Sequence, residues 1–338
     1  MIISIASGKG GTGKTTVAVN LALTHPRKEN LQFFDCDVEA PNAHLFLKPA
    51  WQSSEGVGIA VPVVDPEKCS RCGLCAEVCA FNAIAVFPED ILIFPELCHG
   101  CGGCAYFCPE KAITETSRQI GVIDGGTAHG FAFWRGCLNP GEALSPPLIS
   151  ALKGHIQGDK TVLIDAPPGT SCPVVASVKD SDFCLLVTEP TPFGLNDLCL
   201  AVQMLQKLEI PCGVLINRAD MGDSRVEDYC RRRQLPLLLQ IPWDEKLARR
   251  YARGEPAALH DETWKNRFKS LWGKIEALTG VREKFRGQDQ RPAGEPQPAA
   301  RRETAEKEMA TGEENEGVAS RREAPGQRKI GEKEGQAR

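Results

Sequence analysis

The sequence has no uninterrupted run of about 18 apolar residues, the length that a membrane-spanning helix requires. Its first seven residues, MIISIAS, carry neither a basic leader nor a long apolar segment, so they do not resemble a secretory signal. An excess of basic residues is also missing, since 40 Lys and Arg stand against 44 Asp and Glu, for a net charge of −4. These absences argue against a membrane protein, against export and against general nucleic-acid binding. We therefore expect a cytoplasmic protein.

Histidine pairs suited to a metal site are absent, because the six histidines are scattered and none has a partner four residues away. Cysteine, by contrast, is abundant: 15 are present, and eight of them lie between Cys69 and Cys108. Thiols in the cytoplasm stay reduced, so disulfides are disfavoured. A cysteine cluster this dense in such a compartment indicates metal binding.

Two separated parts of the chain, residues 1–60 and 118–280, alternate short apolar runs with longer amphipathic segments. This alternation is typical of an α/β domain with a mostly parallel sheet. The predicted strands are residues 2–6, 31–35, 161–165, 183–188, 212–217 and 237–241. The predicted helices are residues 14–24, 195–208, 226–233, 244–252 and 263–278.

Residues 61–117 interrupt this rhythm and contain an internal repeat with an offset of 29. Four cysteines of the first half coincide with four of the second, and an Ala-Ile pair at residue 83 coincides with one at residue 112. We interpret this segment as a duplicated module inserted into the α/β domain. Residues 281–338 carry 13 Lys and Arg, 12 Asp and Glu, and only five larger apolar side chains. Such a composition predicts a disordered tail.

Residues 8–15, GKGGTGKT, match the phosphate-binding pattern G-x-x-x-x-G-K-[ST], and they lie between a predicted strand and a predicted helix. Glycines allow the loop to wrap a phosphate closely with its N–H groups pointing inward, and the helix directs its positive end at the same anion. Lys14 is expected to reach the β- and γ-phosphates, and the Thr15 hydroxyl to bind Mg²⁺. The nucleotide-binding set is Gly8, Gly10, Gly11, Thr12, Gly13, Lys14, Thr15 and Thr16.

A second lysine, Lys9, follows the first glycine of this loop. The loop therefore resembles the deviant Walker A loop of the MinD/ParA/Mrp group of P-loop ATPases. The resemblance implies an ATP-dependent homodimer, in which Lys9 reaches the nucleotide of the partner subunit as an arginine finger does. The alternative is a solvated loop lysine.

Two further strand ends fit the same family. The segment LQFFDCD at residue 31 resembles the switch I strand, so that Asp35 would hold the Mg²⁺ shell and Asp37 would orient the attacking water. The segment TVLIDAPPG at residue 161 resembles a Walker B strand, with Asp165 near Mg²⁺. Strand ends of a parallel sheet gather at one edge, where ligands bind. Asn217 resembles the adenine contact of the family, although an Asn in an ordinary turn is the alternative.

The inserted module carries the most specific pattern in the chain. In each half, three cysteines are separated from one another by two residues, and a fourth cysteine follows after three further residues. This spacing resembles that of the bacterial two-[4Fe–4S] ferredoxins. In that family the fourth ligand comes from the other half. The resemblance implies one cluster on Cys69, Cys72, Cys75 and Cys108, and a second on Cys98, Cys101, Cys104 and Cys79. Zinc is the competing metal, but its sites favour two separated C-x-x-C pairs.

The arrangement as a whole resembles the ferredoxin-inserted branch of the MinD-type ATPases. It implies an ATPase in which nucleotide-driven dimerisation controls two clusters for electron transfer, or for metal-cluster maturation, with a partner protein. The alternatives are a positioning ATPase with structural or redox-sensing clusters, and an electron carrier whose ATPase has decayed. The expected cofactors are ATP, Mg²⁺ and two [4Fe–4S] clusters.

Overall fold

The computed structural model describes residues 1–286, with side chains described up to Gly280. Its main feature is a nine-stranded sheet in the order β11-β10-β9-β1-β8-β2-β7-β6-β3. The strands are β1 (Ile2–Ser7), β2 (Leu31–Asp35), β3 (Ala50–Val64), β4 (Ile84–Val86), β5 (Ile91–Ile93), β6 (Ile113–Ala128), β7 (Phe131–Leu138), β8 (Thr161–Pro168), β9 (Phe183–Thr188), β10 (Cys212–Asn217) and β11 (Leu237–Ile241). Strands β4 and β5 form a separate two-stranded sheet.

The seven strands from β11 to β7 are parallel to one another. The central strands β2 and β9 are buried along their whole length, because helices cover both faces of the sheet. The expected mostly parallel α/β fold is confirmed, and all six predicted strands are present.

Eleven α-helices occur within the described residues. They are α1 (Lys14–Thr24), α2 (Ala43–Leu47), α3 (Leu74–Glu77), α4 (Gly103–Phe107), α5 (Pro146–Lys153), α6 (Cys172–Val178), α7 (Pro192–Lys207), α8 (Arg225–Arg232), α9 (Glu245–Ala252), α10 (Ala257–His260) and α11 (Glu262–Arg286). Apolar side chains of α1 and α11 pack on one face of the sheet, and those of α6, α7 and α8 pack on the other. The five predicted helices are present; four have bounds within three residues of the prediction, and the fifth, α11, ends eight residues later than predicted. None of the described helices is long and apolar enough to cross a bilayer.

The last helix, α11, extends beyond residue 280, where the tail was predicted to begin. The first six residues of the predicted tail, 281–286, therefore belong to a helix, and the rest of that tail lies outside the described residues.

The sequence did not predict the long antiparallel ribbon of β3 and β6, which pair from Ala50↔Thr127 to Val64↔Ile113. Most side chains of β3 are exposed, so the apolar alternation that marks a half-buried strand is missing. Both strands run through the predicted borders of the module at residues 60–61 and 117–118. The cysteine-rich segment thus begins and ends on adjacent strands at the edge of the main sheet.

Candidate functional site

The phosphate-binding loop connects β1 to α1. Gly11 and Gly13 lie at φ +80° and +91°, a backbone region that side chains rarely adopt. A Cβ on Gly13 would also lie 2.5 Å from Nδ2 of Asn217. Glycine is therefore required at position 13 both by the turn and by the neighbouring side chain.

Two carboxylates lie side by side behind this loop. Asp35 ends β2, Asp165 lies in β8, and the two are directly paired across the strands. Both are fully buried. The Lys14 amino group donates to Oδ1 of Asp165 at 2.7 Å, whereas Oδ2 of Asp165 has no hydrogen-bond partner among the described residues. Asp35 accepts hydrogen bonds from the backbone N–H groups of Asn42 and Ala43, each at 3.0 Å.

Burial and the interactions between neighbouring charges shift the pKa values of the charged side chains at this edge of the sheet. Burial, together with the neighbouring Asp165, raises the pKa of Asp35 to about 7. Burial raises the pKa of Asp37 to about 6, against the opposing effect of Lys14. Burial acts to lower the pKa of Lys14, but Asp165, Asp37 and Asp35 outweigh it, so the pKa of Lys14 is raised. Oxygen ligands crowded in this way, with one carboxylate oxygen unpaired, fit a small divalent cation such as Mg²⁺.

A cleft of about 330 Å³ opens from the loop. Its floor is formed by residues 10–17, with Asp37 and Asn217 at its sides. Its far wall consists of Trp243, Leu247 and Tyr251, which follow β11 and lie on or before α9. The sequence analysis did not predict this wall. The available signal was the position of these residues just after β11, a strand that ends at the same edge of the sheet as β1. An apolar wall opposite a phosphate-binding loop suits the base of a nucleotide.

Two predicted site residues make contacts that the sequence did not suggest. The side-chain amide of Asn217 donates to the carbonyl of Thr12 at 2.8 Å, so it braces the loop while it lines the cleft. The Lys9 amino group lies 3.2 Å from Oε2 of Glu189, which follows β9 in the same chain. Arg218 pairs with the other oxygen of Glu189. Lys9 therefore has an ion-pair partner within its own chain.

The eight cysteines of the module line two separate cavities. One is lined by Cys98, Cys101, Cys104 and Cys79, and the other by Cys69, Cys72, Cys75 and Cys108. Each cavity therefore brings together three cysteines of one repeat and the fourth cysteine of the other repeat.

The two halves of the module repeat their backbone geometry at the same offset of 29. Positive φ values occur at Arg71 and Gly100, at Gly73 and Gly102, and at Asn82 and Lys111. The hydrogen bonds to sulfur repeat as well. Cys69 and Cys98 accept from the backbone N–H groups two residues later, each at 3.4 Å, and Cys79 and Cys108 from those four residues later, each at 3.3 Å. Donors aimed at sulfur are the environment that iron–sulfur clusters use.

No three Cys, His, Asp or Glu side chains in the described part of the chain converge closely enough to hold a single metal ion. Four thiolates on one zinc ion lie only about 3.8 Å apart, because each Zn–S bond is about 2.3 Å long. A cubane spreads its ligands further, since each cysteine binds a different iron. The preference for cubane clusters over zinc therefore rests on the cysteine triplet in each repeat, as the sequence predicts.

The parallel sheet, the glycine loop after its first strand and the paired carboxylates behind that loop define a P-loop nucleotide-binding protein. The chain belongs to the CobQ/CobB/MinD/ParA nucleotide binding domain family, whose profile matches residues 3–257. The predicted membership in the MinD/ParA/Mrp group of P-loop ATPases is thereby confirmed.

Three relatives illustrate this membership. An uncharacterized protein of Methanocaldococcus jannaschii is 37% identical over 225 residues, which cover 66% of this chain and 80% of the relative. An iron-sulfur cluster carrier protein of Pyrococcus abyssi is 24% identical over 281 residues, covering 77% of this chain and 80% of that protein. The septum site-determining protein MinD of Pyrococcus horikoshii, solved with Mg-ADP, aligns with a TM-score of 0.53 at 20% identity, covering 83% and 97% of the two chains. At that identity the structural likeness establishes the fold.

Proposed function

We propose that this protein is an ATPase whose nucleotide-driven dimerisation controls two [4Fe–4S] clusters, for electron transfer or metal-cluster maturation with a partner protein. The observation that carries the proposal is the presence, in one chain, of a P-loop cleft and of two cysteine quartets that each draw on both repeats. Relatives named as iron-sulfur cluster carrier proteins support the second half of the proposal.

At the ATP site, each residue has a distinct task. The loop N–H groups and Lys14 bind the phosphates, and the Thr15 hydroxyl, Asp35 and Asp165 hold Mg²⁺, directly or through water. Bound Mg²⁺ neutralises charge on the β- and γ-phosphates. Asp37, which borders the cleft, orients the attacking water. Its raised pKa indicates a carboxylate that takes up a proton readily when no cation is present.

Dimerisation depends on Lys9 in this proposal. To reach the nucleotide of the partner subunit, Lys9 must leave Glu189. ATP hydrolysis is then slow in the monomer, where Lys9 is paired within its own chain, and faster in the dimer.

The sheet provides a physical connection between the nucleotide and the clusters. Asp35 of β2 lies directly opposite Arg135 of the neighbouring strand β7 in the sheet. The Arg135 side chain forms an ion pair at 2.9 Å with Asp124 of β6. The second cysteine repeat leads directly into strand β6. The backbone carbonyl of Val38, just after Asp37, also accepts from the N–H of Leu138 at 2.9 Å. A shift of the segment after β2 on binding the γ-phosphate therefore acts on strands that support the module.

The decisive experiment uses the anaerobically reconstituted full chain. Light scattering with ATP should show a dimer for Asp37→Ala, because hydrolysis is blocked, and a monomer when Lys9→Ala is added. The same samples should contain about eight iron and eight sulfide per chain. A dimer that is indifferent to Lys9 would remove that residue from the mechanism, and stoichiometric zinc in place of iron would refute the cluster assignment.

A further inference from the structure

Arg118 of β6 has an unusual set of contacts. One terminal nitrogen, Nη1, pairs with the carboxylate of Glu142, and the Glu142 side chain is only 5% exposed. The other two nitrogens, Nε and Nη2, are buried and have no hydrogen-bond partner among the described residues. A buried donor without an acceptor costs about 1–3 kcal/mol, so such groups usually face a ligand, an ion or water.

The surroundings of Arg118 identify that ligand. Arg118 is directly paired with Ile59 across the ribbon, and paired residues lie on the same face. Gly100 packs against that face, since a Cβ there would lie 3.5 Å from Cβ of Ile59 and 3.0 Å from the carbonyl oxygen of Ala60. Gly100 and Ala60 both line the cavity of Cys98, Cys101, Cys104 and Cys79. Arg118 is thus paired across the ribbon with a residue that packs on the wall of the second cluster site.

Electrostatics point the same way. The hydrogen bond to Glu142 raises the pKa of Arg118, and the negative charges of Glu96 and Cys98 add to that effect. The guanidinium is therefore close enough to interact with a ligand of the second cluster. The one basic residue that lines the first cluster site is Arg71, which is exposed, so that water screens its charge; no Lys or Arg lines the second site itself, and Arg118 lies behind that lining.

Glu142 holds the guanidinium in place. It also accepts from the backbone N–H of Leu144 at 3.3 Å, which ties its carboxylate to the segment before α5. The hydrogen bond from Arg118 lowers the pKa of Glu142, so the carboxylate is charged at neutral pH. This segment is GEALSPP, residues 141–147, and its sequence pattern alone did not indicate a function.

We propose that Arg118, held by Glu142, is a positioning residue that raises the reduction potential of the cluster on Cys98, Cys101, Cys104 and Cys79. The inference rests on the proposed function, since it needs both clusters. Reduction adds one negative charge to a cluster, and a cation with free N–H donors stabilises the reduced form more than the oxidised form. Glu142 opposes this effect through its own charge, so the two side chains shift the potential in opposite directions.

The test is a dithionite titration of the reconstituted full chain, followed by electron paramagnetic resonance, on single variants. Arg118→Gln should move one of the two couples to more negative potential and leave the other in place. Arg118→Lys, which keeps the charge and loses the fixed donors, should give a smaller shift of the same couple in the same direction. Glu142→Gln should move that couple the opposite way, to more positive potential.

Arg231→Gln is the control. Arg231 also pairs with a carboxylate, that of Asp228 at 2.8 Å, but it lies on α8 and lines neither cysteine cavity. It should leave both couples unchanged. Two clusters by iron and sulfide content with no shift in Arg118→Gln or Arg118→Lys, or equal shifts of both couples, would overturn this proposal. A wild-type chain that binds fewer than two clusters would instead refute the proposed function.

Discussion

Lys9 and Glu189 form an ion pair within one chain, with 3.2 Å between Nζ and Oε2. Glu189 is buried, and it also forms an ion pair with Arg218, the residue that follows β10. In the proposed mechanism Lys9 has a second destination, the nucleotide of the partner subunit. The pair with Glu189 then competes with dimerisation.

Glu189→Gln should therefore strengthen the ATP-dependent dimer. A partly exposed ion pair contributes at most about 1 kcal/mol, and two such pairs, one per subunit, are released in the dimer, so the dimer dissociation constant should fall by up to about thirtyfold. Analytical ultracentrifugation of the Asp37→Ala background with ATP measures this constant. Glu245→Gln, which breaks an exposed ion pair with Arg249 on α9, serves as the control and should change nothing. A weaker dimer in Glu189→Gln would show that Glu189 supports the dimer instead.

The exchange of the fourth ligand between repeats can be tested by pairs of cysteine variants. Cys69→Ala with Cys108→Ala removes two ligands of one quartet, so about four irons per chain should remain. Cys98→Ala with Cys108→Ala removes one ligand from each quartet, so both clusters should be lost or strongly depleted. Iron and sulfide analysis after anaerobic reconstitution distinguishes the two. Four irons in the second pair and none in the first would mean that each repeat holds its own cluster.

The nucleotide site and the second cluster are joined by a short polar connection. The Ser145 hydroxyl, which is buried, contacts Oε1 of Glu39 at 3.3 Å, and Glu39 lies two residues after Asp37. Ser145 is the last residue before α5, in the same short segment as Glu142. We expect a non-hydrolysable ATP analogue to shift the potential of one cluster in the wild type and to shift it less in Ser145→Ala.

Reciprocity makes that expectation strict. If the analogue changes a one-electron potential by about 59 mV, reduction must change analogue affinity about tenfold. The affinity is measured by calorimetry with oxidised and with reduced protein. Ser150→Ala, an exposed serine on α5, is the control. Equal potentials and equal affinities in the wild type would leave nucleotide control of access as the only remaining form of gating.

Gly13 of the phosphate-binding loop should be much harder to replace than Gly10. Gly13→Ala forces a side chain to φ +91° and against Asn217, so it should cost more than the about 1–2 kcal/mol of a left-handed backbone alone. Gly10→Ala is the matched control, because a Cβ at Gly10 meets nothing within 4 Å. Denaturant unfolding of the nucleotide-free proteins gives both values, and equal destabilisation would contradict the steric argument.

Much of the fold followed from local sequence patterns. Strand β2 and helix α1 have the predicted bounds, because a continuous apolar run marks the strand, and the glycine loop before the helix and Pro26 after it limit the helix. The candidate phosphate and cysteine sites were likewise readable, since their residues lie within short stretches of chain.

The features that the sequence did not reveal depend on contacts between distant residues. The ribbon of β3 and β6 is held by backbone pairing, and its exposed side chains leave no apolar pattern. The apolar wall with Trp243 and Tyr251 joins the glycine loop only through the order of strands in the sheet. The pairs of Lys9 with Glu189 and of Arg118 with Glu142 likewise arise from that order.

The ribbon also has a consequence for how this chain can be taken apart. Ala60 and Ser117 are directly paired on β3 and β6, so their Cα atoms lie about 4.5–5.5 Å apart. Everything between them can in principle be excised and replaced by a two-residue hairpin turn without stretching the backbone. The excised segment could likewise be inserted between two directly paired residues of an antiparallel hairpin in another protein. The cysteine-rich segment thus enters and leaves the sheet at one place, and Gly100 gives it a second contact with β3.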